Sequence, residues 1–385
     1  MIARAIRSRA GRLALAGMAL AALAGCSSLP FMGGSDDKPK PAELQANPNL
    51  LGVRQAWSAR IGEVGFPLGV AVNGNQVTLA ASDGTVVALD ATSGREVWRA
   101  AAGGALAAGV GSDGTTAAVV TRGQELVAMT GGRVLWRQKL PVLSYTPPLV
   151  AGARVFVLGA DRSVSAFDGQ TGARLWSQQR PGEALVLRQA GVLLAVGDTL
   201  VAGQGGRLAG LNPLTGSVRW EAPIAIARGV NDVERLVDLV DRVSREGQSV
   251  CVRAFQATVG CVDTSRGAVL WTQKASGATG VHGDATHVFG TESDGRVVAW
   301  RRDNGQRAWL NDKLQFRGLG TPLVLGRSVV VGDAQGFVHL LSREDGTLLN
   351  RLATDGSAVA AGPVVAANTL VVVTRSGGVY GFTPQ

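Results

Sequence analysis

From about residue 50 onward, short runs of Val, Leu and Ala alternate with polar positions and are cut every few residues by turn-forming Gly, Asp and Ser. The clearest copy reads Asp83-Gly84-Thr85-Val86-Val87-Ala88-Leu89-Asp90, then Ala91-Thr92-Ser93-Gly94-Arg95-Glu96-Val97-Trp98. Asp-Gly supplies the positive φ of a tight hairpin turn, and the β-branched and aliphatic run after it suits a half-buried strand. Thr-Ser-Gly makes a second turn before the strand that ends in Trp98. The same grammar returns at Asp161–Asp168 and Asp294–Trp300, and more weakly at Gly205–Leu208, Gln335–Val338 and Gly377–Tyr380. Each unit predicts a four-stranded antiparallel meander.

The units recur in one frame, a Gly followed four positions later by Trp. Six copies fit it: Gly94/Trp98, Gly132/Trp136, Gly172/Trp176, Gly216/Trp220, Gly267/Trp271 and Gly305/Trp309. Gly346 keeps the frame with Asn350 in place of Trp, and successive glycines lie 38, 40, 44, 51, 38 and 41 residues apart. A period near forty residues built from short strands predicts a β-propeller, one blade per repeat. One meander cannot cover both of its faces, so the Trp rings are expected to pack between blades, and Trp300, outside the frame, to lie in the core.

After Asn350 there is chain for three more strands, at Ala358–Ala366, Thr369–Thr374 and Val379–Thr383. The fourth is available at the start, in Gln55–Arg60, where Trp57 lies 41 residues before Trp98. The expected fold is therefore all-β: an eight-bladed propeller of four-stranded antiparallel blades spanning residues 50–385, its last blade closed by an N-terminal strand. Joining the two ends in one sheet removes an exposed edge. A seven-bladed ring leaves either Trp57 or the last three strands unplaced.

The first residues follow another pattern. Arg4, Arg7, Arg9 and Arg12 precede an apolar segment, Leu13–Ala22, too short for a stable membrane span, which ends in Leu23-Ala24-Gly25-Cys26. Leu, two small residues and Cys form a bacterial lipoprotein signal. Residues 1–25 are expected to be removed and Cys26 to carry the acyl chains that anchor the protein. Ser27 and Ser28 stand where Asp would retain a lipoprotein at the inner membrane, so the expected address is the outer membrane, periplasmic face. Residues 26–49, rich in Pro, Gly, Lys and Asp without periodicity, are expected to form a lipidated flexible tether.

Charge and chemistry narrow the function. The formal charge of +9 includes the four Arg of the leader; the remainder holds 34 basic and 29 acidic residues, scattered, which argues against nucleic acid as a partner. Cys251 and Cys261 fall in one predicted hairpin around Phe255–Thr258. They are either a cross-strand disulfide or two buried thiols, and a two-residue turn would not bring them opposite, so a disulfide needs a bulge or a longer turn. His282, His287 and His339 lack companions for a metal site. No nucleophile elbow, phosphate loop or dinucleotide fingerprint occurs, and no cofactor is expected.

The D-G-x-V-x-A-L-D…T-G-x-x-x-W grammar resembles the repeats of pyrroloquinoline-quinone-type propellers, shared by quinoprotein dehydrogenases and by a family of non-enzymatic lipoproteins. The enzymes would imply a longer chain, an adjacent Cys-Cys pair and clustered Ca²⁺ ligands, which this sequence lacks. The lipobox at Cys26, the length and the eight-repeat layout are similar to the BamB family, lipoproteins of the outer-membrane β-barrel assembly machinery. That resemblance implies a scaffold, not an enzyme, which binds the periplasmic POTRA domains of the BamA-type barrel insertase, contacts other subunits and assists unfolded barrel clients. It places the partner-binding loops at Leu185-Val186-Leu187-Arg188 and at Glu234-Arg235-Leu236-Val237-Asp238, assigning Leu185, Leu187, Arg188, Arg235 and Asp238. The family's second acidic position is displaced here: Leu239-Val240-Asp241 follows, so either Asp241 substitutes after a one-residue shift or that contact is absent. Residue spacing alone suggests a short helix with Val233, Leu236, Val237, Val240 and Val243 on one face, either packed on its blade or facing a partner. The rival readings are a membrane-tethered quinoprotein oxidoreductase and a ligand-binding propeller using its central channel.

Overall fold

The computed structural model describes residues 39–180, 186–227 and 236–385. Pro41–Gln385 forms one unit, and within it the strands make eight separate four-stranded sheets. Seven blades are consecutive meanders: blade 1 runs from Ala71–Asn73 to Glu96–Ala101, blade 2 from Gly111–Ser112 to Arg133–Lys139, and blade 3 from Leu149–Ala151 to Arg174–Gln178. Blade 4 spans Leu193–Val196 to Val218–Pro223, blade 5 Leu239–Glu246 to Ala268–Lys274, blade 6 Val281–Gly283 to Arg307–Asn311, and blade 7 Leu323–Leu325 to Leu348–Ala353. Blade 8 takes three strands from the C-terminus and its outermost from Val53–Arg60, paired antiparallel to Gly378–Pro384. The eight-bladed ring and its N-terminal closure are as the sequence predicts.

Most frame Trp residues do two things. Opposite the Trp across the ladder stands a small residue in most blades: Ala88 for Trp98, Ala128 for Trp136, Gly210 for Trp220 and Gly381 for Trp57. One residue just before the Trp is skipped in the pairing, so Val97, Leu135, Leu175 and Leu270 sit on bulges and point to solvent. The bulge turns the indole toward the neighbouring blade. There it covers the frame glycine of the next repeat: a Cβ on Gly94, held at φ +70°, would lie 2.6 Å from the Trp57 ring. Gly172, Gly216 and Gly305 meet Trp136, Trp176 and Trp271 in the same way. The indole N–H then donates to a carbonyl of that next blade, Trp57 to Ala91 at 2.8 Å and Trp136 to Gly169 at 2.9 Å. Gly and Trp of one phrase thus belong to two successive seams. The ring closes through this lock as well, Trp57 of blade 8 packing with Val77, Leu79 and Val87 of blade 1.

Asn350 departs from the frame because its neighbour does. The last two strands of blade 8 are joined by hydrogen bonds across the chain ends, so there is no glycine turn for an indole to cover. Instead the Asn350 amide donates to the Leu51 carbonyl at 2.7 Å, and its oxygen accepts from Asn47 Nδ2 at 2.9 Å. Residues 42–51 form a strap along blade 7. Leu50 N–H donates to Leu349 O, the bulge residue, while Arg351 donates to Gln45 O and Arg317 to Ala42 O. The tether expected to run to Asn49 is corrected at this end: its residues from Ala42 onward are bound to the propeller.

Cys251 and Cys261 are direct register partners and form a disulfide. The hairpin carries three loop residues, Phe255-Gln256-Ala257, between Ala254 and its partner Thr258, with Gln256 at φ +47°. This odd count is the longer turn that places the two sulfurs opposite each other.

Candidate functional site

In a meander whose strands run outward from the axis, the outer-to-inner connections and the second-to-third turns fall on one face of the ring. Tyr145, Leu187–Arg188 and Asp238 lie on such connections and Arg162 on such a turn. They converge. Asp238 accepts from Arg162 Nη2 at 3.0 Å and from the Leu187 N–H at 2.9 Å, and its own carbonyl accepts from Phe255 N–H at 3.0 Å. Its side chain is only 15% exposed. Asp238 faces inward and, from the next connection around the ring, fixes the Leu187–Arg188 backbone. Arg188 remains exposed, its guanidinium 5.8 Å over the Tyr145 ring, and Leu187 is half-buried. Leu185, Arg235 and Cys26 lie outside the described residues.

Asp241 is not part of this cluster. Its N–H donates to Ala190 O at 2.9 Å, and it lines the axial channel beside Arg242. Its side chain is open to the channel, yet the protein wall around it displaces enough water to push its carboxyl up to about 6, opposed by the Arg242 guanidinium. The helix suggested by Val233–Val243 is also overturned over its described part: Leu239–Glu246 is the innermost strand of blade 5. Val240 and Val243, three apart, fit the helical period, but pairing with Ser249–Ala254, irregular between Val240 and Ser244, overrides it.

Sequence reasoning missed Arg162. A signal for it exists: its φ is +64° at the turn position that Gly84, Gly295, Gly336 and Gly377 occupy in other repeats. A bulky side chain kept where the repeat uses glycine marks a position held for its side chain. Of the histidines, His282 accepts the Val324 N–H at 3.2 Å and is pushed down to about 4 by burial, Arg242 and Arg302, while His339 is buried against Asp333 at 3.0 Å. Among the described residues no His, Cys, Asp and Glu cluster could hold a metal ion.

A closed ring with a rigid scaffold and a loop face pinned by an ion pair defines a propeller for protein–protein contact. Residues 82–311 match the family model described as outer membrane protein assembly factor BamB. The protein of that name from Burkholderia pseudomallei is 40% identical over 371 residues, 95% of this chain and 96% of the relative. This chain belongs to the BamB family. The crystal structure of BamB from Moraxella catarrhalis matches with a TM-score of 0.78 at 26% identity, covering 86% of this chain and 99% of that one. Quinohemoprotein alcohol dehydrogenase from Comamonas testosteroni shares the fold alone, with a TM-score of 0.66 at 15% identity.

Proposed function

We propose that this chain is a non-enzymatic scaffold of the outer-membrane β-barrel assembly complex, anchored through acylated Cys26 to the periplasmic face of the outer membrane and docking the POTRA domains of the barrel insertase. The observation that carries the docking reading is the Asp238 carboxylate, which holds Leu187 at 2.9 Å while leaving Arg188 exposed beside it. An apolar anchor followed by an exposed guanidinium on a fixed backbone suits an interface hot spot. The family resemblance adds Leu185 and Arg235 as contacts; Asp241, in the channel, is set apart from this surface. The strap supports the arrangement too. It ends at Ala42, bonded to Gln315 and Arg317 on the connection between blades 6 and 7, which belongs to the docking face. Family membership, with likeness to quinoproteins at the level of fold only, favours this reading over an oxidoreductase. The bulged Val97, Leu135, Leu175 and Leu270, exposed on outermost strands, offer edges for transient pairing with extended clients.

The Leu187→Ala/Arg188→Ala variant is expected to lower co-purification with the insertase about tenfold or more, with thermal unfolding unchanged. Asp238→Ala is expected to lower both, because it releases the loop and removes the carboxylate of a largely buried pair. Full co-purification by the first variant would refute the docking site. Cys26→Ser should shift the mature protein from the membrane pellet to the soluble periplasmic fraction; retention in the pellet would refute the anchor.

A further inference from the structure

The docking cluster leaves one feature of its face unused, the mouth of the axial channel. A cavity of about 670 Å³ runs along the axis, within the size range of small-molecule and peptide-side-chain sites. Its charged lining is one-sided: Arg122, Arg188, Arg242 and Arg375 against the single carboxylate of Asp241. Arg122 and Arg375 sit on the second-to-third turns of blades 2 and 8, so they open on the same face as Arg188. Arg122 is oriented by its Nε, which donates to Leu106 O at 3.2 Å. Arg242, from the innermost strand of blade 5, reaches over to blade 8 and donates to Pro363 O at 2.9 Å, placing a cation in the lumen behind the rim. Among the described residues, no ion pair ties any of these four guanidinium groups.

Like charges facing a narrow, protein-walled space add their fields there instead of being screened singly, which favours an anionic occupant. Guanidinium groups match carboxylates in geometry as well as charge. The wall beside them is mixed, with Phe66, Leu68 and Pro147 supplying apolar surface. The occupant that satisfies both surfaces carries a carboxylate next to an apolar group. A mouth that shares Arg188 with the docking cluster is placed to receive a loop of the docked protein. We propose that this mouth is a receptor for an acidic, partly apolar loop of a protein partner, gripped by Arg122, Arg188 and Arg375 with Arg242 behind them. The inference deepens the docking reading and rests on it for the identity of the partner as a protein.

The test uses the full mature chain and a dye-labelled short peptide of alternating Leu and Glu, with Leu–Gln and Leu–Lys peptides as controls, read by fluorescence anisotropy. Saturable binding of the Leu–Glu peptide alone is expected, weakened about tenfold by Arg122→Gln/Arg375→Gln, as loss of charge-assisted contacts implies. Ala361→Trp, which keeps every guanidinium but fills the channel, should abolish it, and thermal unfolding of each variant checks folding. Equal binding of the Leu–Gln peptide, or indifference to the arginine variant, overturns the proposal; so does binding that survives Ala361→Trp, which would put the peptide outside the channel. Citrate or inorganic phosphate competing as well as the peptide would make this a small-anion site and also overturn it. Leu187→Ala leaves the channel intact, so peptide binding that persists while co-purification never depended on Leu187 would fault the docking site and spare the channel.

Discussion

Trp57→Ala is expected to lower stability by about 3–5 kcal/mol, a large share of what holds a domain together. The ring of Trp57 fills space vacated by two glycines, Gly94 of blade 1 and Gly381 of its own blade, where a Cβ would approach it to 2.6 and 2.1 Å. Neither glycine has a side chain that can move into the cavity. The substitution also strips the Ala91 carbonyl of its 2.8 Å donor in a buried setting. For a chain of this size the melting midpoint should fall by about 4–7 °C. Trp98→Ala provides the comparison. Trp98 is half-buried, and Gly132 lies against its Cβ at 3.5 Å, not against its ring, so its loss should cost clearly less. The distinction matters because Trp57 lies on the strand donated to blade 8 from the far end of the chain. Limited proteolysis should accordingly release the N-terminal strand from Trp57→Ala before it cuts elsewhere. Equal melting of the two variants would deny that closure of the ring depends on this seam.

The repeat was legible because Gly and Trp are chemically rare and recur at fixed spacing, and both are required by the same physical contact. What they contact was not legible. A Gly and a Trp four residues apart look like one local motif, yet each serves a different seam, and only the positions of neighbouring blades reveal it. Asn350 looked like decay of the motif and is instead the amide that receives the incoming strap. The strap itself was hidden because it is bound through the backbone carbonyls of Ala42, Gln45 and Leu51, which every residue possesses.

The docking cluster was half legible. The Leu187-Arg188 stretch could be located by resemblance, but the direction of Asp238 could not, since a carboxylate that accepts from Arg162 and one that awaits a partner look alike in sequence. The alternatives that Asp241 replaces the second acidic contact or that the contact is absent stayed open for a related reason. One residue of shift along a strand reverses the face, and here it moves the acid from the loop surface into the channel.

Glu292→Ala is expected to destabilise the protein by a similar amount, about 3–5 kcal/mol, through a different mechanism. Arg253 lies on the second strand of blade 5 with its side chain fully buried, and Glu292 Oε1 of blade 6 accepts from its Nη1 at 3.1 Å. The slot exists because Gly277 and Gly290 lack side chains: a Cβ on either would lie 1.8 or 2.3 Å from the guanidinium. The remaining face of the group lies 5.8 Å over the Trp300 ring, and its Nε and Nη2 have no hydrogen-bond partner. Burial already lowers the pKa of Arg253, and the Glu292 charge opposes that shift. Alanine at 292 removes the compensating charge while the cation stays enclosed. It also deprives Ser276 of the acceptor for its backbone N–H and its hydroxyl, the latter at 2.7 Å. Arg253→Met/Glu292→Gln should recover most of the loss, because Met fills the slot without a charge and Gln still accepts from Ser276. Chemical denaturation of the single and double variants decides the matter: the pair governs the seam between blades 5 and 6 only if the single change is severe and the double change mild. A Glu292→Ala protein as stable as the parent would show that Arg253 tolerates burial without its partner.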